Sequence, residues 1–175
     1  VLNVFAYTGG FSLYAARGGA KEVVSLDISQ PALANAMRNC KLNLAHESVA
    51  ATSYELLVGD AFQTMKQLIA NKRRFEMVII DPPAFAKSQE EVERAVTAYG
   101  RLVRLGLQLL RPGGILVMAS CSSRVSAEQF FEVVHQAALG AGRPLQEIER
   151  TGHALDHPIA FPEGAYLKCL FAFAP

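Results

Sequence analysis

Phe75-Glu76-Met77-Val78-Ile79-Ile80-Asp81-Pro82-Pro83-Ala84-Phe85-Ala86-Lys87-Ser88 decides the fold. Met77 to Ile80 has no polar alternate, and neither has Ile115-Leu116-Val117-Met118. Runs of this kind are expected in parallel strands covered by helices on both faces. Similar runs end at other polar positions, giving candidate strands at Val1 to Phe5, Glu22 to Leu26, Tyr54 to Val58, Phe75 to Ile80, Gly114 to Ala119, Leu145 to Glu149 and Lys168 to Phe173. Between them lie longer stretches of helical period. Val92, Ala95, Val96, Tyr99, Leu102, Val103 and Leu110 recur at helical spacing, and Arg111-Pro112-Gly113-Gly114 stops that helix and turns the chain into the next strand. Pro31 to Leu44 is a second helix, and Ser126 caps a third that ends near Gly140. Strand and helix in alternation make an α/β domain, doubly wound around a mostly parallel seven-stranded sheet.

The composition agrees. The 175 residues are 51% hydrophobic and 19% charged, which excludes disordered and collagen-like classes. Seventeen Lys and Arg against sixteen Asp and Glu leave a net charge of +1, so no strong global field draws the domain to a polyanion. Three cysteines, Cys40, Cys121 and Cys169, are too few and too scattered for a disulfide framework or a zinc motif. A reducing cytoplasm is the expected compartment, with no membrane association and no metal. The chain opens on a core-type strand without an initiator Met, as expected of the C-terminal part of a longer protein.

In an open parallel sheet, ligands bind beyond the carboxyl ends of the strands, so the polar residues there carry the chemistry. The first strand runs into Ala6-Tyr7-Thr8-Gly9-Gly10-Phe11-Ser12, where glycines let the backbone approach a ligand. Asp27, seventeen residues beyond Gly10, ends the second strand and is placed to accept hydrogen bonds from ribose hydroxyls. Gly59-Asp60-Ala61-Phe62 ends the third. There a carboxylate or backbone group can meet an adenine edge and Phe62 its face, while Asp60 serves equally well as a helix cap. Asp81-Pro82-Pro83-Ala84-Phe85 ends the fourth and forms a rigid polar wall, with Phe85 as a stacking surface for a flat base. Cys121, among Ser120, Ser122 and Ser123, ends the fifth, next to the Asp81 strand and just before a helix N-terminus that favours a thiolate. The glycine spacing is not G-x-G-x-x-G, which lowers a nicotinamide reading.

Together, Tyr7-Thr8-Gly9-Gly10-Phe11-Ser12, Asp27-Ile28-Ser29, Gly59-Asp60-Ala61-Phe62, Asp81 to Ser88, Ser120-Cys121-Ser122 and the tail from Asp156-His157-Pro158 through Phe161 to Lys168 resemble a known family. They are similar to the catalytic domain of class I S-adenosylmethionine-dependent methyltransferases acting on 23S ribosomal RNA, specifically cytosine-5 enzymes that carry an N-terminal PUA domain. The likeness covers essentially the whole chain.

It implies a Rossmann-like fold, S-adenosylmethionine as cofactor and ribosomal RNA as partner, with the upstream RNA-binding domain outside this chain. It further implies that Tyr7, Thr8, Gly9, Gly10 and Phe11 hold the methionine end of the cofactor. Asp27, with Ile28 beside it, would hold the ribose, and Asp60, Ala61 and Phe62 the adenine. Asp81 would border the cofactor and contact the target cytosine, and Cys121 would be the nucleophile. Pro82, Pro83, Phe85, Lys87 and His157 fall on the substrate side. A methyltransferase acting on a base nitrogen, in which Cys121 is only structural, and a non-catalytic module of the same fold are the alternatives.

Overall fold

The computed structural model describes residues 1–86, 88–154, 156, 158–161 and 164–175. Its elements are β1 (Leu2–Val4), α1 (Gly10–Arg17), β2 (Glu22–Asp27), α2 (Gln30–Leu42), α3 (Glu47–Ala51), β3 (Ser53–Val58), α4 (Ala61–Ala70), β4 (Phe75–Ile80), a 3-10 turn (Gln89–Glu91), α5 (Val92–Leu109), β5 (Leu110–Ser120), α6 (Ala127–Gly140), β6 (Gln146–Thr151) and β7 (Lys168–Ala174). One seven-stranded sheet results, in the order β3-β2-β1-β4-β5-β7-β6. The first five strands of that order are parallel, and β7 runs antiparallel to both β5 and β6.

The chain winds outward from β1 to β3 on one side and from β4 to β5 on the other. The carboxyl ends of β1 and β4 therefore flank the switch point, where a crevice opens in sheets of this class. Among the described residues, no helix is long and apolar enough to cross a membrane.

Sequence and geometry agree on how the elements begin. Ser29 Oγ accepts from Ala32 N at 3.3 Å and Pro31 occupies the first turn of α2; Ser126 Oγ accepts from Gln129 N at 3.1 Å, the cap expected of it. One face of the sheet is sealed. Val78, Ile80, Leu116, Met118, Leu170 and Ala172 are buried in one cluster with Tyr99, Leu102 and Leu109 of α5 and Phe130 and Val134 of α6.

The other face also carries helices, as expected, but over only part of its width. There α1 and α2 pack on β2, and α2 on β3. Met77, Ile115, Phe171 and Cys169 on β4, β5 and β7 are half-buried, and Phe173 is exposed. Side-chain hydrophobicity alone does not say which face a helix reaches, so an apolar run looks the same in both cases. An open groove lined by Val1, Phe11, Tyr14, Met77 and Ile79 lies between α1 and β4 on this face.

Several boundaries shift by a few residues, two of them for a visible reason. β1 stops at Val4 because Phe5 turns left-handed, at φ 62°. β5 starts at Leu110 rather than Gly114: Leu110 pairs with Phe75 and Ile115 with Met77, so Arg111 to Gly114 bulge out opposite Glu76. Gly113, at φ 76°, makes the excursion possible, and Arg111 reaches Glu76 at 3.4 Å.

Candidate active site

The loop from β1 to α1 is bent tightly and tied down. Phe5 (φ 62°) and Tyr7 (φ 47°) are both left-handed without being glycine, a strained backbone that its surroundings must hold. Ala6 N donates to Leu26 O at 3.0 Å and Gly9 N to Ala6 O at 2.8 Å. Asn39 of α2 donates to Thr8 O at 2.9 Å. Gly9 has φ 78°, and a Cβ there would lie 2.6 Å from Ala36 Cβ, so the loop reaches α2 only with glycine. Gly10 is different. An added Cβ would meet nothing within 4 Å, because this position faces the crevice.

Asp27 closes the loop from the β2 side. Its Oδ2 accepts from Tyr7 N and its Oδ1 from Ser29 N, each at 2.8 Å. A carboxylate has about four lone-pair sites, so two bonds leave it able to accept from hydroxyls as well. Ile28 next to it is 74% exposed and Tyr7 69%, large apolar surface gathered at the rim of the sheet. Beneath α1, Asn3 Nδ2 donates to Ser12 Oγ at 2.9 Å, and Ser12 Oγ and Ser25 Oγ share a bond at 2.8 Å. This buried chain ties α1 to β1 and β2. Sequence reading missed it, although Asn3 and Ser25 interrupt otherwise apolar strands.

At the end of β3, Asp60 caps α4 by accepting from Gln63 N at 2.9 Å, and Ala61 is buried behind it. Phe62 is half-buried against the main core, and the Arg101 guanidinium lies 4.6 Å from its ring centroid. The ring that the sequence offers to an adenine is thus already engaged by a cation.

A cleft of about 330 Å³ opens between the first loop and β4, lined by Phe5, Ala6, Tyr7, Thr8, Gly10, Phe11, Tyr14 and Asp81. Burial pushes the Asp81 carboxyl above the ordinary carboxylate range. Pro82 is buried and Pro83 exposed. Phe85 is held by two rings, Phe5 edge-on at 6.4 Å and Tyr99 at 5.3 Å. It therefore builds the wall of the site from within.

Cys121 stands beyond that wall, half-buried at the end of the neighbouring strand. Its Sγ donates to Pro82 O at 3.9 Å, and Ser122 Oγ donates to Ala86 O at 3.2 Å. Tyr99 and Ser120 hydroxyls share a bond at 2.8 Å, and Ser120 Oγ accepts from Ser122 N at 3.2 Å. Behind this turn lies a residue that sequence reading did not single out. Lys168, 5% exposed, donates to the carbonyls of Ser122 at 2.6 Å, Val125 at 2.5 Å and Tyr166 at 3.2 Å. Its signal is alternation: Lys168 shares a strand face with Leu170, Ala172 and Ala174, all buried.

The structure thus brings Tyr7, Thr8, Gly10, Phe11 and Asp81 to one cleft. Gly9, Asp27 and Ile28 frame its loop, and Cys121 adjoins it through Pro82. Asp60, Ala61 and Phe62 lie at the next strand end, outside the cleft lining. Lys87 and His157 lie outside the described residues. Among the described residues, no group of three or more His, Cys, Asp or Glu could hold a metal ion.

A parallel sheet with its switch-point cleft, a ribose-competent carboxylate and a glycine-opened floor define an α/β protein built to take a nucleoside-bearing ligand. Residues 1–171 match the S-adenosylmethionine-dependent methyltransferase family, and the chain belongs to it. It is 47% identical over 171 residues to a ribosomal RNA large subunit methyltransferase of Deinococcus radiodurans, covering 98% of this chain and 41% of that protein. It is 45% identical over 170 residues to ribosomal RNA large subunit methyltransferase I of Aliivibrio fischeri, covering 96% and 42%. The chain therefore spans about two fifths of the length of these relatives.

A solved methyltransferase from Streptococcus mutans superposes with a TM-score of 0.76 at 25% identity, over 98% of this chain and 43% of that one. A methyltransferase structure solved in complex with SAH superposes with a TM-score of 0.75 at 26% identity, over 98% and 44%. The residues present fit S-adenosylmethionine: Asp27 has lone pairs for ribose hydroxyls, Ile28 offers apolar cover for a base, and Gly10 leaves the floor open.

Proposed function

We propose that this chain catalyses transfer of a methyl group from S-adenosylmethionine to C5 of a cytosine in ribosomal RNA, through a transient bond between Cys121 Sγ and C6 of the ring. The observation that carries this reading is the position of Asp81 and Cys121 at the ends of adjacent strands, with the Cys121 sulfhydryl reaching the carbonyl of Pro82, the residue after Asp81. The names of the relatives support the RNA class.

Cytosine C5 is a weak nucleophile. Addition of the Cys121 thiolate to C6 moves the electrons of the C5–C6 double bond towards C5, which then behaves as an enamine carbon. The cofactor, when bound in the cleft, supplies a methyl group on a positively charged sulfur that such a carbon can take. Asp81, whose carboxyl pKa burial raises, takes up a proton as the base enters, donates it to N3 as a hydrogen bond and accepts from the N4 amino group, stabilising charge as it develops on the ring. Loss of the C5 proton to a base then restores the double bond, the C6–S bond breaks and the thiolate is regenerated. The loop at Tyr7 to Phe11 and Asp27 hold the cofactor against this edge.

With a net charge of only +1, this domain has little long-range pull on a polyanion. The same reading therefore gives the full protein an upstream RNA-binding domain and a place in the cytoplasm, where it meets its substrate.

The test is methyl transfer from labelled S-adenosylmethionine to unmodified ribosomal RNA by the full-length protein and its Cys121→Ala variant. A fall of about 10³-fold or more is expected. Transfer at the unaltered rate overturns the cysteine mechanism and leaves a base nitrogen as the target.

A further inference from the structure

The buried cation nearest in the fold to the Cys121 turn has no role in the steps above. Lys168 is the first residue of β7, yet its side chain runs under the turn that follows β5 and ends among three carbonyl oxygens at 2.5–3.2 Å. Three acceptors match the three N–H donors of an ammonium. A neutral amine has two donors and a lone pair, which would face an oxygen here, so the geometry selects the charged form. Burial works the other way and lowers the pKa of the group, while negative charge at Cys121 raises it. Attraction of this kind is mutual.

We propose that Lys168 is a positioning residue for Cys121: its ammonium pins the Ser122 to Val125 turn and sets a fixed positive charge on the turn that directly follows the sulfur that must attack and later leave. This inference rests on Cys121 being the nucleophile.

Among the described residues, three elements near this corner contribute a titratable group. Asp81 comes from the end of β4, Tyr99 from α5 and Cys169 from β7. Tyr99 feels both Cys121 and Asp81, and Cys169, pushed up to about 11 mainly by its burial, feels Asp81. An ionised Asp81 opposes negative charge at the sulfur, and neutral Tyr99 is indifferent to it. Lys168, held on the carbonyls of the turn that follows β5, is the positive charge the structure places on the Cys121 side. Two carbonyls of one turn are also what a purely structural lysine would hold, so the experiment must separate holding from charging.

Peptide-resolved alkylation of Cys121 by iodoacetamide does so, in the full chain and in Lys168→Met and Lys168→Arg. At about pH 7, Lys168→Met is expected to react roughly tenfold more slowly, and Lys168→Arg, which keeps the charge, close to the unaltered rate. At about pH 10, where thiols ionise unaided, the gap is expected to close. If Lys168→Met does not fold, Lys168→Gln, which can still donate to two of the carbonyls, replaces it with the same expected result. Equal rates at about pH 7, or a gap that persists undiminished at about pH 10, overturn the proposal. Alkylation reads the sulfur whether or not RNA is methylated, so failure of the methyl-transfer test with Cys121→Ala is seen separately.

Discussion

The sulfhydryl of Cys121 donates to the carbonyl of Pro82 at 3.9 Å, joining the turn after β5 to the segment after β4. Ser122, the next residue, repeats the link by donating at 3.2 Å to Ala86, four residues beyond Pro82. A proline carbonyl is available for this because the segment has left the ladder and Pro82 and Pro83 carry no N–H to extend it. The segments that carry Asp81 and Cys121 are thus tied to each other at two points.

Glycine at positions 9 and 10 has two different reasons, and substitution separates them. Gly9→Ala forces a Cβ onto Ala36 at 2.6 Å and a positive φ, so a loss of about 1–3 kcal/mol is expected in chemical denaturation. Gly10→Ala meets open space. It should melt like the unaltered protein but bind S-adenosylhomocysteine more weakly in calorimetry.

Asp27 serves the loop and the cofactor at once. Asp27→Ala frees Tyr7 N and Ser29 N and removes the ribose acceptor, so calorimetry should show affinity for S-adenosylhomocysteine falling roughly 10- to 100-fold, about 1–3 kcal/mol. Unaltered affinity would remove Asp27 from the site.

Asp81 makes stability depend on pH in a direction that can be checked. Its carboxyl pKa is raised by burial, so the folded chain binds the proton more tightly than the unfolded chain. Stability from this group falls as pH rises from the unfolded pKa through the raised folded one, and near neutrality the buried charge is a cost. Asp81→Asn removes that cost. Melting scans should show a gain of about 2–4 °C at neutral pH for each kcal/mol relieved, disappearing below the ordinary carboxylate range, while methyl transfer falls by about 10²-fold or more.

Far from the cleft, Arg143 ties three elements at the opposite end of the sheet. Its guanidinium donates to the carbonyls of Leu107 at 2.6 Å, Leu110 at 3.1 Å, Arg111 at 3.1 Å and Ala174 at 3.0 Å. Arg143→Ala leaves these acceptors unmet, and a loss of about 2–4 kcal/mol is expected in denaturant titration, with cofactor affinity of the folded protein unaltered.

Much of this arrangement is legible in the sequence, for reasons that particular residues show. Unbroken apolar runs such as Met77 to Ile80 mark the strands, and each polar residue directly after one marks a strand end, so Asp27, Asp81 and Cys121 were all legible. Ser126 and Asp60 were readable as caps because their role is local. What depends on tertiary packing was not. Phe85 and Phe62 read as free aromatic faces, whereas Tyr99 and Phe5 engage the first and Arg101 the second. The half-open face of β4, β5 and β7 looks in sequence like a covered one. Lys168 reads as a charged strand terminus, and only the alternation with Leu170 and Ala172 hints that its stem points inward.

The central claim concerns one bond, between the Cys121 sulfur and C6 of a cytosine. RNA carrying 5-fluorocytidine at the target position tests it most directly, because fluorine at C5 cannot leave as a proton and the adduct persists. Incubated with the full-length protein and S-adenosylmethionine, such RNA should yield a stable protein–RNA species whose cross-linked peptide contains Cys121. Absence of that species under conditions where the unsubstituted RNA is methylated, or a cross-link that survives in Cys121→Ala, would contradict it.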